Sequence, residues 1–298
     1  MARAITRFAA NYGVGGRVVT DDGYDSGSLA VLIDEKSPFG RDGSAPTSDL
    51  LKWLDAVFGR DADIILLDYG FPVALPIADQ DSATRHALRV VTDRSLVIGA
   101  GGNNAAGHVT VPAGHAEVLA VGSLGDEGAL RPYAGWAPEI RKPDLFMRDQ
   151  LLGTPLQDAL TPAAFQPADS PLGPGTRGSS FSALHAVVAA VLAWSTVPDL
   201  TPIELRALLQ TAATPISHDS QPSPMGLQIA DAVSAARKIL IRRALSPDPC
   251  SLHSVSAITG LSLRITEDTL SAMMAGEEPE VRLLTRGRLE RYELTGAA

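Results

Sequence analysis

Gly178-Ser179-Ser180-Phe181-Ser182-Ala183-Leu184-His185 leads straight into an apolar run that continues to Trp194. Small residues at the entrance leave the Ser180 hydroxyl uncovered at a turn. The apolar residues behind it read as a buried helix. Such a helix start carries free N–H groups and partial positive charge. A hydroxyl held there suits a nucleophile whose reaction develops negative charge on a neighbouring oxygen.

Upstream, strand and helix patterns alternate. Short strands are predicted at Arg17 to Thr20 and Leu29 to Ile33, around Asp21-Asp22-Gly23. Arg3 to Asn11 reads as a short helix that starts without a capping residue. Thr47 or Ser48 caps a helix with Leu50, Leu51, Leu54, Val57 and Phe58 on its apolar face. Ile64 to Leu67 is an uninterrupted apolar run and predicts a strand buried on both faces. Ser82 to Thr92 is helical, Leu96 to Ala100 is a strand ending in Gly101-Gly102-Asn103-Asn104, and Val118 to Val121 is a further strand. This alternation, with glycine-rich turns at strand ends, predicts an α/β fold with a mostly parallel sheet covered by helices.

Beyond a proline- and glycine-rich loop over Leu151 to Thr176 and the Ser180 helix, Thr201-Pro202-Ile203-Glu204 carries a capping box. A helix follows to Ala212, and another runs from about Ala230 to Ala244. Ser246-Pro247-Asp248-Pro249 reads as a linker, dividing the chain into 1–244 and a small module, 245–298. The module is expected to hold short helices over Val255 to Thr259 and Thr266 to Ala275, the second capped by Thr266. A hairpin over Val281 to Leu284 and Arg288 to Leu294 completes a winged helix-turn-helix pattern.

Composition narrows the functions. The 298 residues carry 25 Lys+Arg against 34 Asp+Glu, a net charge of −9 that argues against nucleic acid or anionic membrane as partner of the whole chain. The tail arginines Arg282, Arg286, Arg288 and Arg291 form a candidate wing, but residues 246–298 hold 5 Lys+Arg against 8 Asp+Glu, net −3. A single cysteine, Cys250, excludes an intramolecular disulfide and a multi-cysteine metal site. With no signal-peptide pattern and no stretch read as a membrane span, a cytoplasmic protein is expected. No metal site is expected either, because His108 and His115 lack a carboxylate or cysteine at ligand spacing.

Several of these segments, in order, resemble the subtilisin-like serine peptidases. Asp63 to Gly70 looks like the strand that ends that family's substrate-binding edge. Val97 to Asn103 looks like the strand ending in its Ala-Gly-Asn turn. Arg141-Lys142-Pro143-Asp144-Leu145 resembles its Lys-Pro-Asp stretch. Gly178 to His185 matches Gly-Thr-Ser-Met-Ala-x-Pro-His, and Gly226 to Ala235 resembles its closing helix. The resemblance covers roughly residues 1–240. It implies Ser180 as nucleophile, Asn103 as oxyanion donor and His185 as a structural histidine. It also implies a peptide or protein substrate on an edge formed by Leu67, Asp68, Tyr69, Gly70, Gly101 and Gly102, and no cofactor.

The chain departs from the family at Asp68, where a small serine is usual, at Tyr69, and at Leu184, where proline is usual. No histidine precedes His86, and neither the family's first-strand aspartate nor its His-Gly-Thr motif occurs. Ala2 to Ala9 resembles the body of the helix that follows that histidine, so the domain is expected to lack its first strand and the start of its central helix. Three readings follow. A serine endopeptidase would depend on an aspartate and histidine supplied by a longer chain or a partner chain. A pseudo-peptidase would bind peptide or protein without cleaving it. A regulator would bind DNA through the tail, the reading least favoured by charge.

Overall fold

The computed structural model describes residues 18–20, 31–33, 52, 62–68, 70–74, 82–104, 107–150, 177–218, 222–246, 248–275, 279–286 and 289–295. The expected helix over Arg3 to Asn11, Tyr69 and the loop over Leu151 to Thr176 lie outside these residues. So does the helix over Leu50 to Phe58, apart from Lys52.

The first elements are β1 (Val18–Thr20) and β2 (Val31–Ile33), paired in parallel. The main sheet contains β3 (Ile64–Leu67), β5 (Leu96–Ala100), β7 (Leu119–Leu124), β8 (Leu145–Arg148), β10 (Met225–Gly226) and β9 (Thr214–Pro215), in that spatial order. Every pairing from β3 to β10 is parallel, and only β9 runs against its neighbour. A separate antiparallel pair joins β4 (Phe71–Ala74) to β6 (His108–Val111).

Period-2 alternation sends side chains of each strand to two different helical layers. Leu96 and Ile98 of β5, Leu119 and Val121 of β7, and Leu145 and Met147 of β8 meet α2 (Ser179–Thr196) in the largest core. The same core takes in α3 (Pro202–Ala212) and α4 (Ile229–Leu245). On the opposite face Ile65, Leu67, Val97 and Val118 pack with Leu88 and Val91 of α1 (Ser82–Thr92). Phe146 points the same way and meets Trp136 edge-on, with ring centroids 5.4 Å apart at 71°.

The α2 helix is apolar all round because it is enclosed, with twelve of its eighteen residues buried. By length and composition it is apolar enough to cross a membrane, which corrects the expectation that no stretch is. Its burial inside the protein, 67% of those residues, accounts for that composition. Two of its buried polar side chains tie it to β8: Ser182 Oγ donates to Met147 O (3.0 Å), and His185 Nδ1 bonds Arg148 O (2.6 Å).

Three further expectations need correction. Ile64 and Leu66 are only half-buried, because β3 is the outermost described strand of its sheet. Leu145–Arg148, read only as part of a Lys-Pro-Asp stretch, is a full strand of the sheet. In the tail the second helix, α6 (Leu263–Met274), is capped by Ser262, whose hydroxyl accepts from Ile265 N; Thr266 is buried one turn inside. The capping box at Thr201 and Glu204 is complete, with both reciprocal hydrogen bonds present.

The tail also contains α5 (Leu252–Thr259) and the hairpin of β11 (Val281–Arg286) and β12 (Leu289–Leu294). Val255, Leu270, Met273, Val281 and Tyr292 share one core with Ile241, Ala244 and Leu245 of α4. The last turns of α4 therefore serve as the module's first helix.

Candidate active site

The parallel strands end on one side of the sheet, the side on which open α/β folds place ligands. There β3 delivers Asp68, β5 delivers Gly101 to Asn103, and the start of α2 brings Ser179 and Ser180. Two hydrogen bonds stitch the turns together. Ser179 N donates to Asn103 Oδ1 (2.9 Å), and Gly102 N donates to Ser179 Oγ (3.1 Å).

Both turns need glycine. Gly102 has φ +99°, and Gly178, the N-cap of α2, has φ +134°. A Cβ on Gly178 would sit 3.0 Å from Asn103 Nδ2. Gly178→Ala is therefore expected to cost about 1–3 kcal/mol through backbone strain and to push the Asn103 amide aside. Urea unfolding reads the first effect, and ligand binding at Ser180 reads the second.

With Oδ1 held by Ser179, Asn103 presents Nδ2 as its remaining donor. Ser180, the second residue of α2, has an N–H without an intrahelical acceptor. Ser180 itself is half-buried, within reach of solvent. Its hydroxyl lies against the carboxylate of Asp68 and favours the ionised form. Oδ1 of that carboxylate is buried, with no hydrogen-bond partner among the described residues. Burial lifts the Asp68 carboxyl to about 6, and the Ser180 hydroxyl restrains the rise.

The other expected site residues have plain structural positions. Leu67 is fully buried against α1, so its side chain offers no surface to a ligand. Gly70 is exposed, and a Cβ there would fall 2.4 Å from Thr110 Cβ. Gly101 donates to Val121 O (2.8 Å) and accepts from Thr110 N (3.2 Å), while Gly102 O accepts from Gly135 N (3.2 Å). Gly101 and Gly102 use these backbone groups inside the protein. The His185 ring, bonded to Arg148 O, is held below the usual histidine range by burial. Sequence reasoning missed the role of Ser179 as the clasp between the two turns, and the contact of Asp68 with Ser180. The charged residue where a small serine is usual was the available signal.

The sequence profile described as the Subtilase family matches residues 44–235. The chain belongs to the subtilase family. No curated protein matches it. Among solved structures, this subtilase is similar to the prenylagaramide maturation protease PagA, at 23% identity and TM-score 0.51 over 70% of this chain and 72% of that one. A lanthipeptide protease matches at 16% identity and TM-score 0.50, over 66% and 68%. The patellamide maturation protease PatA matches at 22% and 0.50, over 64% and 68%. These likenesses show the fold.

The subtilase's Lys-Pro-Asp stretch has a structural task. Asp144 accepts from Lys142 Nζ (2.5 Å), Ala120 N (2.7 Å), Arg206 Nη2 (3.3 Å) and Gln210 Nε2 (3.2 Å), clamping β7 and α3 beside β8. Asp149, fully buried, accepts from Arg131 Nε (3.0 Å) and from the Tyr133 hydroxyl.

Proposed function

We propose that this subtilase binds an extended peptide and presents Ser180 as the nucleophile for hydrolysis of a peptide bond. Asn103 Nδ2 and the Ser180 N–H hold the oxyanion. The observation that carries the reading is the clasp between the two turns, in which Ser179 N fixes Asn103 Oδ1 and so holds the Asn103 amide at the helix start that bears Ser180. In the family's usual arrangement the proton goes to a histidine oriented by an aspartate, and the motifs for both are missing from this chain. On this reading those groups come from a longer chain or a partner, unless another group in the chain replaces them. A pseudo-peptidase that binds peptide without cleaving it is the second reading, supported by the engagement of the His185 ring with Arg148 O.

A peptide boronate tests the nucleophile, since boron forms a tetrahedral adduct with an activated serine hydroxyl. At one hundred times its Kd it is expected to stabilise the protein by about 2.7 kcal/mol, read as a rise in Tm. Ser180→Ala should abolish the rise. A boronate that leaves Tm unchanged, or shifts Ser180→Ala equally, contradicts the reading. Asn103→Ala is expected to weaken reaction at Ser180 by about 10²–10³-fold.

A further inference from the structure

We infer that Asp68 is the proton acceptor for Ser180, a role that rests on the reading of Ser180 as nucleophile. As Ser180 Oγ bonds to the scissile carbonyl carbon, its proton passes to the Asp68 carboxylate. When the C–N bond breaks, the same proton goes to the departing amine nitrogen. Water then adds to the acyl carbon and gives a proton to Asp68. That proton returns to Ser180 Oγ as the acid product leaves, so each half-reaction ends with Asp68 ionised again.

Position comes first. Asp68 directly follows β3, and its carboxylate adjoins the hydroxyl that must lose a proton. The second observation is the buried Oδ1 with no hydrogen-bond partner among the described residues. A buried carboxylate oxygen without a donor is costly and marks a group kept for something other than stability. Third, two other buried carboxylates of the sheet are spent on cations: Asp144 on Lys142 and Arg206, and Asp149 on Arg131. Besides the Ser180 hydroxyl, the positive charge of the amino terminus favours the ionised form of Asp68, and among the described residues no charged side chain of β3, β5 or α2 contributes. Burial moves this carboxyl towards the pH at which a base can both stay ionised and accept a proton.

The test is the rate at which a fluorophosphonate probe labels Ser180, mapped by mass spectrometry between pH 5 and pH 9. In the wild-type chain the rate is expected to rise about tenfold per pH unit below about pH 6 and then level off. Asp68→Asn should lower the plateau by about 10²–10⁴-fold and remove the break. Labelling of Asp68→Asn at the wild-type rate with the same profile overturns the inference. So does a wild-type profile with no break between pH 5 and pH 7, a result that needs no variant to fold. If the peptide boronate still binds through Ser180 in either case, the nucleophile assignment stands and only Asp68 is displaced. If neither boronate nor fluorophosphonate reaches Ser180, the nucleophile reading falls and this inference falls with it.

Discussion

Asp68→Asn should stabilise the folded protein by about 3 kcal/mol at pH 8 and by only about 0.5 kcal/mol at pH 4. The folded carboxyl keeps its proton up to about pH 6, whereas an ordinary aspartate loses it near 3.8. Below the ordinary value both states are protonated, and the stability that comes from the raised pKa is fully present. As pH climbs through about 6 the buried group must ionise, and that stability is lost. Asparagine has the same shape, can still accept from the Ser180 hydroxyl and never ionises. Urea unfolding at both pH values reads the difference. An equal change at pH 4 and pH 8, or a loss at pH 8, contradicts the account of this carboxylate. A side chain that weakens the fold at neutral pH while adjoining the proposed nucleophile is the usual signature of a functional rather than structural group.

Asp144→Ala should act in the opposite direction, destabilising the protein by about 3–5 kcal/mol. Lys142 is buried, and burial pulls its ammonium below the usual lysine range while Asp144 opposes that pull. Without the carboxylate, the ammonium keeps only its bond to Val118 O (2.6 Å), and Ala120 N loses its acceptor. Removing one partner of a buried pair costs more than the pair contributes, because the remaining charge stays desolvated. Lys142→Met together with Asp144→Ala should recover part of the loss. A single-variant loss below about 1 kcal/mol would show that water reaches Lys142 and that the clamp is not closed.

What could be read from the sequence follows the range of the interactions involved. The Thr201–Glu204 capping box needs only residues three apart, and it is present as expected. Leu96–Ala100 was legible because five apolar residues buried on both faces leave no other pattern. Leu145–Arg148 was not, since four residues after a Lys-Pro-Asp turn carry no periodicity and its strand character comes from pairing with β7. The cap of α6 was misplaced because Ser262 and Thr266 are both capable caps, and burial of Thr266 decided between them. At the site, the neighbourhood of Ser180 and Asn103 was suggested by motif order. The contact of Asp68 with the hydroxyl arises from the packing of β3, β5 and α2, and no local pattern encodes it.

The most direct measurement is a crystal structure of this subtilase with a peptide boronate. The account predicts tetrahedral boron on Ser180 Oγ, with one boronate oxygen about 3 Å from both Asn103 Nδ2 and the Ser180 N–H. Boron bonded elsewhere, or an oxygen turned away from Asn103, would contradict it.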